Sequence, residues 1–157
     1  MKPIVVSKKL WLETWQGLHK RGAGVREAAC VWGGRREESV DTALSVTFMD
    51  DLPGVRAGAR HHQLTRTTIG ALFDVLRRNG DMIVADIHTH PGRWTGLSIT
   101  DAASPIEFRR GLPAMVIPHY ATVSPTFTDL GLHEYVGDGR WRQLTLAEVQ
   151  SALRIGA

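Results

Sequence analysis

The chain has 157 residues, 43% of them hydrophobic and 22% charged, with a formal net charge of +3. That is enough for one domain with its own core, and it excludes a disordered, fibrous or disulfide-stapled chain, since the lone Cys30 cannot form an internal bridge. No apolar run approaches the ~20 residues of a membrane span, and charges follow too soon in MKPIVVSKKLWLETWQ for a signal peptide, so a cytoplasmic protein is expected.

Lys and Arg are scattered rather than blocked, so the mildly basic pI of about 9.4 permits nucleic-acid binding without indicating it. An acidic protein partner would suit the same surface. No repeat or linker divides the chain, and residues 1–157 read as a single domain.

In chain order, residues 7–21 read as a helix, with Ser7 as N-cap and Trp11, Leu12, Trp15 and Leu18 on one stripe. AACVWGG (28–34) and TALSVTFM (42–49) read as strands, and DDLPGVRAGA (50–59) as loop. Residues 67–79 form the clearest helix, with Ile69, Leu72, Phe73 and Leu76 in register and Asn79-Gly80 as its stop. MIVADIH (82–88) is a strand, and a helix is expected from Thr100 to about Arg109, with a break near Pro105. PAMVIPH (113–119) and LGLHEYV (130–136) are further strands, GDG (137–139) is a turn, and WRQL pairs back. Thr145 and Glu148 then form a capping box for a terminal helix. Helices alternating with closely spaced strands predict an α/β (α+β) domain, its sheet mixed and largely antiparallel, flanked by helices.

The chemistry concentrates in IHTHPGRWTGLSITD. His88 and His90 are two residues apart at a strand end, where side chains at i and i+2 share a face and can converge on one ion. Asp101, in the first turn of the following helix, supplies an oxygen. Two nitrogens and one carboxylate leave a fourth tetrahedral position open, the pattern of a catalytic zinc site rather than a closed structural one. An isolated HxH pair is most often an ordinary strand feature. Here five fixed positions (His, His, Pro, Ser and Asp) hold their spacing, which chance produces in such a chain with a probability on the order of 10⁻⁴.

The spacing His-Thr-His-Pro, six residues, Ser98, two residues, Asp101 resembles the signature of the JAMM (MPN+) metalloproteases, which include deubiquitinating enzymes and prokaryotic relatives. The resemblance implies a single MPN/JAB-like domain of cytidine-deaminase-like type, with one zinc ion per chain. In that family an essential Glu follows the first helix and begins the first strand; RGAGVREAACVWGG has that layout, and Glu27 is the matching position. By the resemblance, Glu27 is the general base that shuttles a proton to the leaving amine, and Ser98 hydrogen-bonds the developing oxyanion. Glu37 and Glu38 compete on sequence alone, but RREES reads as a solvated turn. The implied substrate is a ubiquitin-like protein or its conjugates, cleaved after the C-terminal tail. The chain is similar to the short bacterial members, some of them encoded beside ubiquitin-like, E1-like and E2-like partners in antiphage systems, others acting on sulfur carriers. Two other readings share the motif: a RadC-type DNA-associated protein, which no basic cluster supports, and a non-catalytic MPN scaffold, which typically lacks the ligands present here.

Several other residues invite a role. Trp94, between the ligands, either lines a substrate groove or packs under its loop. Asp86 shares the strand face of His88 and is expected to be a nearby polar group, with an ordinary strand position favoured. His61 and His62 are adjacent, so on a strand they face apart and serve one ion poorly. His119 and His133 are expected to be structural strand residues, and Cys30 a small buried hydrophobe rather than a nucleophile.

Overall fold

Ser7 serves two elements at once. It ends a first strand, β1 (Ile4–Ser7), and its hydroxyl oxygen accepts the Leu10 N–H at 3.1 Å to cap helix α1 (Lys8–Gly22). The computed structural model describes residues 1–57 and 62–156. The expected first helix is in place, but Leu10, Trp11, Thr14 and Leu18 make its buried stripe. Leu12 is exposed, because it lies about 100° round the helix from Trp11.

β2 (Ala29–Arg36) and β3 (Asp41–Phe48) follow as an antiparallel pair. The stretch expected to be loop carries a single 3₁₀ turn (Met49–Asp51) and one arm of a small ribbon, β4 (Arg56–Ala57) with β5 (His62–Gln63). Thr65 caps α2 (Arg66–Asn79), and Gly80, at φ 71°, ends it in the left-handed region that glycine enters freely. β6 (Met82–Thr89) then runs straight to the His-x-His segment.

Helix α3 (Ile99–Ala103) is shorter than its sequence suggested. Ser104 precedes Pro105, whose ring disfavours helical backbone at the residue before it, and Ser104 has left the helix at φ −130°, ψ 58°. β7 (Pro113–Ile117) likewise stops before His119, which is not a strand residue. His119, Tyr120 and Ala121 all have positive φ, at 54°, 52° and 55°. Such conformations cost L-residues about 1–2 kcal/mol each. They are held by hydrogen bonds from the His119 N–H to Gly92 O and from the Tyr120 N–H to His90 O.

The chain closes with β8 (Gly131–Gly137), β9 (Arg140–Gln143), α4 (Leu146–Ala152) and β10 (Leu153–Gly156). The Thr145–Glu148 capping box forms as expected. Among the described residues the main sheet has eight strands in the order β10-β1-β3-β2-β6-β7-β8-β9. β1 pairs in parallel with β10 and β3, and β6 with β7; the other joins are antiparallel. The sheet is thus mixed, as expected, with two strands, β1 and β10, that the sequence reading did not assign.

Helices flank both faces. α1 and α4 cover one, around Trp11, Leu18, Trp32 and Val149. Trp11 and Trp32 meet edge to face at 6.2 Å, and the Trp32 indole N–H is satisfied by Thr14 Oγ1 at 2.8 Å. α2 covers the other face, where Leu72 and Leu76 pack on Ala29, Val31 and Ile83. No helix among the described residues is long and apolar enough to cross a membrane.

Candidate metal centre

β6 lies in the middle of the sheet, with His88 opposite Ala29 of β2 and Val116 of β7. The pleat sends His88 and His90 the same way, and their Nε2 atoms come to 3.2 Å of each other. His90 lies one residue past the strand. Its backbone is held on both sides, the N–H by Ile117 O and the carbonyl by the Tyr120 N–H. The positive-φ turn therefore serves to fix a ligand-bearing residue.

Asp101 arrives from the other side, at the third position of α3. The helix is capped reciprocally: the Asp101 N–H donates to Ser98 Oγ at 3.2 Å, and the Ser98 N–H donates to Asp101 Oδ2 at 2.8 Å. The same Oδ2 lies 3.6 Å from His88 Nε2 and 3.4 Å from His90 Nε2. One local device thus both starts the helix and aims the carboxylate.

The three atoms form a triangle with edges of 3.2, 3.4 and 3.6 Å. Tetrahedral zinc with bonds of about 2.0–2.2 Å places its ligands about 3.3–3.6 Å apart. His90 supports the same reading. Its Nδ1 lies 3.1 Å from the Trp94 carbonyl, which has no proton to give, so Nδ1 carries the proton and Nε2 is left as a lone-pair donor. Among the described residues, His88, His90 and Asp101 are the group that could hold a metal ion.

Electrostatics in the metal-free chain follow from this crowding. Burial works to lower the His88 pKa, but the Asp101 carboxylate 3.6 Å away, with the charges of Asp86 and Glu27 behind it, outweighs that and raises it. Burial works to raise Asp101; the imidazoles of His88 and His90 at 3.6 and 3.4 Å and the hydrogen bond from Ser98 outweigh it and hold this carboxyl far below the usual range. The pair therefore grips a proton where an ion would sit.

Glu27 stands two residues before Ala29, the partner of His88. The Ala28 N–H donates to Thr89 Oγ1 at 2.9 Å and the Thr89 N–H to Ala28 O at 3.0 Å, tying this segment to the ligand strand. Glu27 is 6% exposed and lines one cavity of about 650 Å³ together with Asp86, His88 and Asp101. The rest of the wall is mostly apolar, with Ile69 and Ile106 among its residues and Thr100 and Ser104 also lining it. Glu37 and Glu38 are exposed past the opposite end of β2, about 25 Å along the strand.

Trp94 is not among the residues that line this cavity. Its ring stacks on His90 at 5.2 Å between centroids and 16° between planes, and it is 58% exposed. Asp86 shares the cavity with His88, as strand alternation required. Cys30 is buried in the core, and burial, then the Asp86 charge, push its thiol up and away from nucleophilic use. His61 lies outside the described residues, and His62 begins β5. His133 is the residue whose part was missed. It is buried in β8 with Nε2 2.8 Å from Thr95 O, and burial above all keeps its pKa low. Nothing in its sequence neighbourhood marks it, because its partner is a loop carbonyl 38 residues away.

No protein-family model matches the chain. Solved structures do share its fold. One is a protein from Desulfitobacterium hafniense, 20% identical, with a TM-score of 0.66 over 90% of this chain and 89% of that one. Another is a JAB1/MPN domain protein from Archaeoglobus fulgidus, 13% identical, with a TM-score of 0.52 over the full length of both. The fold is of the JAB1/MPN type. In it the His-His-Asp triangle sits on one face of the central strand, beside a buried glutamate.

Proposed function

We propose that this chain is a zinc-dependent isopeptidase or peptidase that cleaves after the C-terminal tail of a ubiquitin-like protein. The observation that carries the reading is the 3.2–3.6 Å triangle of His88, His90 and Asp101 with Glu27 in the wall of the same cavity. A zinc ion bound there supplies a Lewis acid that makes water a nucleophile near neutral pH and polarises a carbonyl. His88 and His90 would serve as neutral imidazoles and Asp101 as the carboxylate, His90 aimed by the Trp94 carbonyl and Asp101 by the Ser98 cap. The Glu27 carboxylate accepts a proton from the attacking water and returns it to the leaving nitrogen as the C–N bond breaks. Ser98 Oγ accepts the Asp101 N–H and keeps its own proton to donate to the oxygen that gains negative charge.

The ubiquitin-like substrate is taken from the sequence motif and its resemblance, as are E1-like and E2-like partners and a role in antiphage defence. The mostly apolar wall beyond the polar groups is compatible with an extended peptide. The deciding experiment incubates the purified chain with a ubiquitin-like protein fused through its C-terminal tail to a reporter, with and without chelator, alongside zinc analysis. One zinc per chain and chelator-sensitive cleavage are expected. A chain that takes up no zinc when loaded, or cleavage indifferent to chelator, would overturn the reading.

A further inference from the structure

The loop between His90 and Ser98 contains no helix or strand, yet it carries the groups that orient a ligand. Two consecutive carbonyls in it have imidazole partners. Trp94 O meets His90 Nδ1 at 3.1 Å, from inside the site. Thr95 O meets His133 Nε2 at 2.8 Å, from a neighbouring strand with no ligand on it. A carbonyl only accepts, so both imidazoles are donors here.

β8 is shaped for this contact at a second point. Gly131 lies two residues before His133, on the same strand face. A Cβ added at Gly131 would sit 2.0 Å from Thr95 O and 2.7 Å from Thr95 Cβ. The strand thus leaves room for the loop backbone at Gly131 and pins it at His133. His133 is 3% exposed, so water does not compete for the bond.

We propose that His133, with the clearance at Gly131, is a positioning device that fixes the tautomer and aim of His90 through the loop backbone, and so sets metal affinity. Planar peptide units link the two carbonyls rigidly, with only the φ and ψ of Thr95 between them. Releasing Thr95 frees Trp94 O to turn, and His90 then loses the acceptor that keeps its proton on Nδ1 and its Nε2 lone pair toward His88 and Asp101. Partners of this kind around metal sites are worth about 10–100-fold in affinity. The inference rests on the metal reading above.

The test measures zinc affinity by competition with a chromophoric chelator, together with the absorption of the cobalt-loaded protein and the melting temperature of the metal-free protein. His133→Phe keeps a ring and removes the donor. It is expected to weaken zinc binding about 10–100-fold and to alter the cobalt spectrum. His133→Gln places an amide N–H near the same point and is expected to restore affinity to within about threefold of wild type. Gly131→Ala displaces Thr95 without touching the imidazole and is expected to weaken binding in the same direction; it decides the matter if the Phe variant fails to fold. Wild-type affinity in folded His133→Phe and Gly131→Ala would overturn the inference, as would a Gln variant as weak as Phe, which would reduce His133 to packing. A wild-type chain without zinc affinity overturns the metal reading instead, and the inference with it.

Discussion

The two faces of the β2/β6 pair use the same backbone for opposite purposes. On one face Cys30, Trp32, Ala85 and Ile87 form two cross-strand pairs, all fully buried under α1. On the other, Ala29 pairs with His88 and Val31 with Asp86, and this face opens on the cavity that holds Glu27 and Asp101. The period of two along a strand puts stability and chemistry one residue apart. A change on one face is therefore expected to be read mainly in melting temperature, and a change on the other in metal binding and turnover.

The largest effect is expected on the cavity face. Glu27→Gln removes the group that accepts a proton but keeps its size, and should cut cleavage by about 10²–10⁴-fold. Zinc content, measured on the same preparation, should stay at that of wild type. Undiminished cleavage would move the base elsewhere. Full zinc loss would instead make Glu27 a ligand or a structural support.

On the core face, Trp32→Ala should cost about 3–5 kcal/mol, since it empties a fully buried site and removes the N–H donated to Thr14 Oγ1, whose own hydroxyl still donates to Leu10 O. For a domain of this size that is a fall of roughly 6–20 °C in melting temperature. Zinc affinity of the fraction still folded should change little. A parallel collapse of zinc affinity under conditions where the variant is folded would break the division between faces.

A gentler probe is pH. In the metal-free chain His88 is raised from 6.5, so its contribution to stability is present below that value and is lost as pH rises through the folded pKa. Asp101 is lowered from 3.8, so its contribution is present above that value and is lost as pH falls through the folded pKa. The His88–Asp101 ion pair of the metal-free chain is thus at its best between about pH 4 and 6.5. Zinc must displace the His88 proton, so affinity should fall by up to about tenfold per pH unit below that raised pKa. The gain in melting temperature on adding zinc should grow from pH 5 to pH 8. A gain independent of pH would show that no imidazole proton is exchanged for the ion.

What could be read in the sequence follows the same division. His88, His90, Ser98 and Asp101 were legible because local rules, strand alternation and a helix cap, bring them together within fourteen residues. Glu27 was legible only through the family resemblance; its approach to His88 depends on strand pairing across 61 residues. His133 was not legible, because a histidine in an apolar strand carries no sign of the distant carbonyl it meets. In the fold, β1 and β10 were missed because each is four residues long and directly joins a helix, so neither shows enough alternation to compete with the helical pattern beside it. The helix expected over 100–109 breaks at Ser104-Pro105, where the proline marks a break, but does not resume beyond it.

The smallest expected effect tests the division from its far edge. Thr145 caps α4: its Oγ1 accepts the Glu148 N–H, and its own N–H donates to Glu148 Oε2 at 2.8 Å. That N–H, then the Arg142 guanidinium, hold the Glu148 pKa down to about 2, so the box is fully formed at neutral pH. Thr145→Ala should cost about 1 kcal/mol, a shift of roughly 2–4 °C in melting temperature. α4 packs its Val149 and Ala152 into the same cluster as Trp11 and Trp32, and it leads directly into β10, at the sheet edge. Nothing on that route touches His88, His90 or Asp101, so zinc affinity and turnover should match wild type at temperatures below the transition. If this distant cap moved zinc affinity, the two faces would be coupled through the sheet, and the stability of the α1/α4 layer would have to be counted as part of the metal site.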